Sequence, residues 1–233
     1  MADPDPIHFF LYGECLLRVP TADLLPKAGS LLLARHLPLK ISDVVLDIGT
    51  GSGLVGLLAA RAGHQVLATD VVQECCECAR ANAVLNGVAD RMEVRFGDAF
   101  EPVGERAFDL IATNPPQMPT PPEREWGDAQ SRADNGGPDG WSTLGRIIDE
   151  APRYLKPGGR LVFTLFAFLG IRRALARLQE AGLSAQILAR EAQPFPRIAR
   201  ERLEHLRTVD SEGALPPGRP TECERLILCG VKG

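Results

Sequence analysis

The sequence lacks features that would place it in a membrane or on nucleic acid. No apolar run reaches the roughly 20 residues that a helix needs to cross a bilayer, and the start, Met-Ala-Asp-Pro-Asp-Pro, is unlike a signal peptide. Basic residues are not in excess, since the formal net charge is −4. Such a charge gives no electrostatic footprint for DNA or RNA. We therefore expect a cytoplasmic protein that does not contact a membrane, and the charge disfavours a nucleic-acid substrate.

Cysteines are too few for a disulfide framework, with six in 233 residues. Three of them cluster as Cys75, Cys76 and Cys78. A zinc site would need a second pair of ligands nearby in the sequence, and none follows. We expect these cysteines to pack as small core residues on one helix, and we expect no metal.

Apolar strand patterns alternate with helical patterns from residue 43 onward, which predicts a doubly wound parallel α/β sheet. The length suits one domain with a sizeable core. Strands are predicted around Val45 and over 65–69, 92–96, 108–113, 161–166, 183–189 and 225–231. Helices are predicted over 53–62, 73–85, 144–154 and 171–181.

The first forty residues carry a different pattern. A hairpin is predicted over 9–19, and a helix over 31–37 that Ser30 could cap. We expect residues 1–40 to pack on a main domain formed by residues 41–233. Two insertions, 117–140 and 193–222, are expected over the substrate site, although the charge run in the second favours a solvated excursion.

A glycine-rich turn follows the first strand of the sheet, in the run Asp47-Ile48-Gly49-Thr50-Gly51-Ser52-Gly53. Glycine permits positive φ and close approach of a ligand, and the next helix directs free N–H groups at the turn. Residues 51–56 also fit the GxGxxG dinucleotide pattern, with Asp70 at the distance expected for a ribose contact. A lone GxGxxG is weak, so a nicotinamide cofactor and a turn without any ligand both stay open at this point.

Polar residues end four predicted strands: Asp47, Asp70, Asp98 and Asn114. Ligands of open α/β sheets bind at the carboxyl ends of the strands, where these side chains should gather. A helix cap would explain any one of the aspartates, but four polar ends together favour a binding site.

The glycine turn preceded by Asp47, together with Asn114-Pro115-Pro116-Gln117, resembles the class I methyltransferases that use S-adenosylmethionine. Within that class the chain resembles the protein glutamine methyltransferases that modify release factors. Pro26, Lys27 and Ser30 are similar to the entry of their catalytic domain, and 134–141 to their Gly-Gly-x-Asp-Gly element. The resemblance implies a Rossmann-like seven-stranded sheet with an antiparallel last strand. It also implies an enzyme without the helical docking domain that precedes the bacterial family members.

The same resemblance assigns the cofactor site. Gly49, Gly51 and the helix start would face the methionine carboxylate, Asp47 the ammonium, and Asp70 both ribose hydroxyls. Asp98 would bind the adenine amine, with a backbone donor from Ala99. The full set implied is Asp47, Gly49, Thr50, Gly51, Gly53, Asp70, Val71, Asp98, Ala99 and Asn114.

The catalytic residues implied are Asn114, Pro115, Pro116 and Gln117. The Asn114 side-chain oxygen and the Pro115 carbonyl can hold an NH2 group and take up its developing positive charge. In related enzymes the fourth position is usually aromatic and stacks on a planar group. Gln117 instead predicts one specific polar partner, which disfavours a nucleobase and favours a small polar acceptor. Trp126 or Trp141 could supply the missing ring, or could be core residues.

The sequence therefore predicts an S-adenosylmethionine-dependent methyltransferase that acts on an amide or amine nitrogen, in a small molecule or a protein glutamine. Two alternatives stay open. One is different chemistry on the sulfonium, such as aminobutyryl transfer or cyclisation, and the other is a binding module without catalysis. No feature indicates an oligomeric state.

Overall fold

A computed structural model of the chain describes residues 7–121, 123 and 134–233. The chain divides into two compact units, Met1–Thr113 and Asn114–Gly233. The predicted boundary near residue 40 does not coincide with this division and stays a prediction. Trp126 lies outside the described residues.

The first unit is built on four parallel strands and three helices. The strands are β3 (Val44–Ile48), β4 (Gln65–Asp70), β5 (Met92–Phe96) and β6 (Phe108–Thr113), in the order β5-β4-β3-β6. The helices are α1 (Ala28–Arg35), α2 (Leu54–Arg61) and α3 (Gln73–Leu85). The inner strands are apolar and buried, as expected where both faces of a parallel sheet are covered. In this register β3 and β6 end together, because Ile48 pairs with Thr113.

A hairpin of β1 (His8–Tyr12) and β2 (Cys15–Val19) precedes this sheet. Asn82 of α3 and Asn86, which follows the last residue of α3, bond to the free edge of β2 as a neighbouring strand would. Asn82 Oδ1 accepts from the Arg18 amide at 2.8 Å, and Asn86 Oδ1 accepts from the Leu16 amide at 2.9 Å. The side chain of Asn82 also donates to the Ser52 carbonyl at 2.9 Å. One buried asparagine thus connects the hairpin to the glycine turn.

The second unit contains three long strands that pair antiparallel. The strands are β7 (Leu155–Phe166), β8 (Leu183–Pro194) and β9 (Glu222–Lys232), and β9 pairs with both of the others. The helices are α4 (Ser142–Tyr154), α5 (Ile171–Glu180), α6 (Arg197–Glu201) and α7 (Leu203–Val209). The second half of β7 is mostly apolar and completely buried.

The strand order of the whole sheet is β5-β4-β3-β6-β7-β9-β8. Seven strands with an antiparallel last strand confirm the predicted α/β class. The last two strands form an antiparallel hairpin, since β8 pairs with β9 along its length.

Several local predictions were wrong at their ends, among them that of β7, which begins at Leu155 and not at residue 161. Helix α1 begins at Ala28, with Lys27 at its N-cap and no side-chain cap, so Ser30 lies inside the helix. Proline disfavours the helical region for the residue before it; Leu25 is extended, and the helix begins two residues after Pro26. Strands β8 and β9 extend past the predicted ranges, which shortens the insertion to residues 195–221. Pairing along the hairpin continues where the apolar alternation has already ended.

The cysteine cluster packs as predicted. Cys75, Cys76 and Cys78 lie on α3 as buried free thiols, and burial raises the pKa of Cys75 to about 12. Across the part of the chain that the structure describes, no cluster of His, Cys, Asp and Glu could hold a metal ion. No helix among the described residues is long and apolar enough to span a bilayer.

Replacing Asn82 by alanine should destabilise the first unit. The change would leave the Arg18 amide and the Ser52 carbonyl without their partner, and an unsatisfied buried group costs about 1–3 kcal/mol. Urea unfolding of Asn82→Ala, followed by circular dichroism, measures the loss. The matched control is Gln73→Ala on the same helix, whose exposed side chain donates to another exposed residue of the helix, Glu77. Equal stabilities for the two variants would contradict this role of Asn82.

Candidate functional site

A buried carboxylate holds the glycine turn of the first unit in place. Asp47 is 2% exposed, and its Oδ2 accepts from the Thr50 hydroxyl at 2.6 Å and from the Gly56 amide at 3.0 Å. These bonds tie the end of β3 both to the turn and to the first half of α2. Burial raises the pKa of Asp47 to about 6, against the two hydrogen bonds, which lower it.

The glycines of the turn serve two different purposes. Gly51 has a φ of +56°, and a Cβ added there would meet nothing within 4 Å, so its left-handed conformation is the constraint and the space beside it is open. A Cβ at Gly53 would lie 3.3 Å from the Ala79 Cα, so Gly53 lets α3 approach closely. Gly49 is like Gly51 in conformation and openness. The open side of the turn is therefore at Gly49 and Gly51.

Asp70 ends β4 beside this turn, as predicted. Its Oδ2 accepts from the Gly51 amide at 2.8 Å and its Oδ1 from the Val72 amide at 2.9 Å. Burial raises the pKa of this carboxyl, and the backbone amides of Gly51, Val72 and Val71 oppose the shift. The carboxylate is thus held at the open side of the turn, and each oxygen retains capacity for a hydroxyl donor.

Two large apolar side chains stand exposed at the ends of adjacent strands. Val71 and Phe96 are each 54% exposed, and Asp70 pairs with Phe96 in register. Exposed apolar groups beside polar strand ends are typical of a ligand site. Such a surface would suit the flat face of a purine.

Asp98 and Ala99 follow β5 within the same unit. Asp98 is half-buried, and Ala99 has a φ of +45°, which is unusual for a residue with a Cβ. The hydroxyl of Thr69 on β4 donates to the Ala99 carbonyl at 3.1 Å and holds this conformation. The first unit therefore brings Asp70 directly to the turn and places Asp98 after the neighbouring strand.

In the second unit, Asn114 and Gln117 are joined through Thr164 on β7. The Thr164 hydroxyl donates to Asn114 Oδ1 at 2.6 Å. Gln117 Nε2 donates to the Thr164 carbonyl at 2.6 Å and to its hydroxyl oxygen at 3.0 Å. Because Thr164 has a single hydroxyl hydrogen, the bond from Gln117 directs that hydrogen to Asn114. The Asn114 side chain is therefore oriented with its oxygen toward Thr164.

The specific polar partner predicted for Gln117 lies inside the chain, not on an acceptor. Its side-chain oxygen also accepts from the Phe166 amide at 3.3 Å, and the residue is 2% exposed. Both ends of the amide are thus engaged by β7. This corrects the sequence-based argument for a small polar acceptor, because the amide is already bonded to the sheet. Gln117 remains a predicted site residue, with a positioning role.

The glycine-rich element 134–141 packs directly on this loop. A Cβ at Gly136 would lie 2.8 Å from the Gln117 Cα, and one at Gly140 would lie 2.6 Å from the Gln117 carbonyl oxygen. Two glycines are needed because the backbones touch. Trp141 is buried, and its indole N–H donates to the Leu169 carbonyl at 3.0 Å. Trp141 is therefore a core residue and does not offer its ring to an acceptor.

The first half of the insertion 195–221 is anchored by buried side chains, whereas most residues from 211 to 219 are exposed. Arg202 is buried and donates to the Thr120 hydroxyl and, at 3.3 Å, to the Pro119 carbonyl. Phe195 and Leu206 are buried as well. The solvated excursion that the charge run favoured stays a prediction, since the segment contains both buried and exposed residues. That the insertion covers the substrate stays a prediction.

Sequence reasoning missed Thr164, Phe166 and Arg225. The one available signal was a single hydroxyl in the apolar run of β7, because a lone polar residue in a buried strand needs a partner. Arg225 carried no signal, since its surroundings come from distant segments.

Comparison with known proteins extends this description. The family model of the methyltransferase small domain matches residues 25–120. A Methanocaldococcus jannaschii protein, provisionally named as a protein N5-glutamine methyltransferase, is 32% identical over 174 residues, which are 74% of this chain and 87% of that one. The chain belongs to the methyltransferase small-domain family. The family confirms the predicted enzyme class, a methyltransferase whose named relatives modify nitrogen.

Bacterial members of the family are longer. The release factor glutamine methyltransferase of Cereibacter sphaeroides is 38% identical over 152 residues, covering 61% of this chain and 53% of that one. The ribosomal protein uL3 glutamine methyltransferase of Bradyrhizobium diazoefficiens is 37% identical over 127 residues, covering 51% of this chain and 39% of that one. The chain thus spans about half the length of these bacterial relatives or less.

Solved structures confirm the fold. The chain resembles the E. cuniculi Mtq2–Trm112 complex, described as responsible for methylation of the eRF1 termination factor, with a TM-score of 0.60 and 20% identity over 89% of this chain and 97% of that one. P. horikoshii TYW2 in complex with MeSAdo gives a TM-score of 0.61 and 15% identity, over 98% and 72% of the two chains. At these identities the likeness concerns the fold alone.

The buried Asp47 should make stability depend on pH in a defined window. Its pKa rises from 3.8 in the unfolded chain to about 6, so the folded state holds the proton more tightly. Stability is therefore lost as pH rises from about 4 to about 6, by up to roughly 3 kcal/mol at about 1.4 kcal/mol per pKa unit. Urea unfolding of the wild type and Asp47→Asn across this range should show the wild type falling relative to the variant. A constant difference between the two would contradict the shifted pKa.

Thr164→Val should lower turnover at least tenfold, because the Asn114 carboxamide loses the donor that orients it. Cofactor affinity should change by less than a few fold, and Thr164→Ser should restore most of the rate. Steady-state kinetics and calorimetry measure the two quantities. The matched control is Thr113→Val, which removes another buried hydroxyl, bonded to the Ile48 carbonyl. A serine variant as slow as the valine variant would argue against the hydroxyl.

Proposed function

We propose that this protein transfers the methyl group of S-adenosylmethionine to the side-chain amide nitrogen of a glutamine in an acceptor protein. The observation that carries the proposal is the fixed orientation of Asn114. Its oxygen accepts the Thr164 hydroxyl, and a carboxamide oxygen has two lone pairs. A bond from an acceptor N–H is compatible with this arrangement. An amide NH2 is the group that such an oxygen and the Pro115 carbonyl would hold together.

The chemistry needs a positioned nitrogen more than it needs an acid or base. S-adenosylmethionine would supply a methyl group bound to a sulfonium. The nitrogen would attack the methyl carbon in line with its bond to sulfur, and the neutral thioether would leave as that bond breaks. The amide nitrogen of glutamine is a poor nucleophile because its lone pair is delocalised. Two acceptors on its hydrogens, Asn114 Oδ1 and the Pro115 carbonyl, would increase the electron density on nitrogen and stabilise the charge that develops there. Pro115 and Pro116 restrict the backbone that carries this carbonyl.

The residues of the first unit fit the cofactor. The space beside Gly49 and Gly51 is open, so the turn leaves room for the methionine carboxylate near the start of α2. Asp70 is held at the same place and suits the ribose hydroxyls. Val71 supplies exposed apolar surface for adenine. Asp98 and the Ala99 backbone are the proposed partners of the adenine edge, and Thr50, Gly53 and Asp47 shape the turn, with the Asp47 charge toward the ammonium.

A protein glutamine is preferred to a small molecule for two reasons. The argument for a small polar acceptor rested on Gln117, whose amide bonds to β7. The named relatives act on glutamines of release factors and of ribosomal protein uL3. Both acceptor classes belong to translation, in keeping with the predicted cytoplasmic location.

Asn114→Ala should abolish methyl transfer while leaving the cofactor bound. Loss of a positioned polar group of this kind typically costs about 100- to 1,000-fold in rate. Calorimetry should show S-adenosylmethionine affinity within a few fold of wild type, and Asp70→Ala should show the opposite pattern. Transfer is measured with radiolabelled cofactor on purified release factors and uL3 from the source organism, with the candidate glutamine replaced by asparagine as control. Full activity of Asn114→Ala would contradict the catalytic assignment, and label on the asparagine control at the wild-type rate would contradict the acceptor.

A further inference from the structure

A buried guanidinium in the second unit lacks part of its hydrogen bonding. Arg225 on β9 is 9% exposed, and within the described residues its Nε has no hydrogen-bond partner. Buried polar groups in native proteins are nearly always paired, so this donor has room for a partner that the described residues do not supply. Guanidinium offers five N–H donors and no acceptor, so that partner must be an acceptor.

The surroundings of Arg225 hold its charge without saturating it. The guanidinium carbon lies 3.7 Å from the ring centroid of Phe166, which pairs with Arg225 in register across β7 and β9. Burial lowers the pKa of Arg225 to about 10, and the nearby Cys223 and Asp134 oppose this shift. The group is therefore still a cation at neutral pH. The aromatic face orients it but accepts none of its N–H bonds in the plane.

A buried, incompletely bonded cation lowers the stability of the folded protein, so its presence needs a functional reason. An apolar side chain of the same volume on the Phe166 ring would avoid the desolvation of the guanidinium. Residues kept at a cost to stability are concentrated at functional sites.

Arg225 lies next to the residues that position Asn114. Phe166, under the guanidinium, donates its amide to Gln117, and Thr164 lies two residues earlier on the same strand. Two residues along a strand span about 7 Å. Arg225 therefore pairs with β7 about 7 Å along the strand from Thr164, the residue that binds Asn114.

We propose that Arg225 binds an oxygen of the acceptor outside its reacting amide group, either a backbone carbonyl of a peptide chain or the α-carboxylate of a free amino acid. This inference rests on the proposed function, since it assumes glutamine as the acceptor. Arg225 then selects and positions the acceptor and takes no part in the transfer itself. Arginine suits this task because its planar donors can contact one oxygen while the face stacks on an aromatic ring.

The test is Arg225→Met, which keeps the apolar packing on Phe166 and removes the donors. KM for the acceptor should rise at least tenfold, with kcat and S-adenosylmethionine affinity within a few fold of wild type. Arg225→Lys should restore part of the affinity because it keeps the charge. The urea midpoint of Arg225→Met should equal or exceed that of the wild type, because an incompletely bonded charge has been removed. The matched control is Arg160→Met, which changes another buried arginine, six residues before Phe166 on β7, and should leave acceptor KM unchanged.

Two acceptors separate the possible sources of the oxygen. A peptide with an internal glutamine tests the backbone carbonyl, and free glutamine tests the carboxylate. A rise in KM for either one in Arg225→Met, but not in Arg160→Met, supports the proposal and names the oxygen. Unchanged KM for both acceptors overturns it.

Failure of the proposed function gives a different result. The wild type would then transfer no methyl to glutamine in any form, and the unfolding data alone would decide the role of Arg225. A urea midpoint of Arg225→Met below that of the wild type would show a purely structural arginine and overturn the inference. An equal or higher midpoint would support a charge retained for a ligand.

Discussion

The buried carboxylate of Asp47 is the group on which the glycine turn of the first unit depends. One of its oxygens binds the hydroxyl of the turn and an amide of the following helix, so a strand, a turn and a helix meet at a single atom. With that junction fixed, the left-handed Gly49 and Gly51 border open space that a ligand can enter. The raised pKa of Asp47 shows that this arrangement is maintained against the desolvation of a charge. Local features that lower the stability of the folded protein are common at binding sites.

In the second unit, neutral hydroxyl and amide groups hold the loop that carries Asn114. The Thr164 hydroxyl donates its single hydrogen to the Asn114 oxygen, because the hydroxyl oxygen accepts a hydrogen bond from Gln117. An aromatic residue, as the related enzymes usually have at this position, could not make the bonds to the β7 carbonyl and amide. The loop that carries Asn114 is instead held by an amide side chain and by two glycines packed against its backbone. Gln117 therefore fixes the loop to β7 and does not stack on an acceptor.

The sequence was sufficient wherever the determinants are local. The strand patterns, the glycine turn and the position of Asp70 depend on residues within one β-α-β segment, and they were predicted correctly. The partner of Gln117 could not be predicted, because Thr164 is 47 positions away and sits in an apolar run. The same holds for Arg225, whose ring partner lies on another strand. The ends of β8 and β9 were also not predicted, because the pairing of the two strands sets them. The start of α1 was not predicted, because Pro26 keeps the residue before it extended.

Attachment of the methyl group to nitrogen is the central claim, and nuclear magnetic resonance tests it directly. The acceptor protein would carry ¹⁵N in its glutamine side chains, and the cofactor would carry a ¹³C methyl group. This account predicts one new methyl signal that shows a one-bond coupling between ¹³C and the glutamine side-chain ¹⁵N. A methyl signal without that coupling, on oxygen, sulfur or carbon, would contradict it.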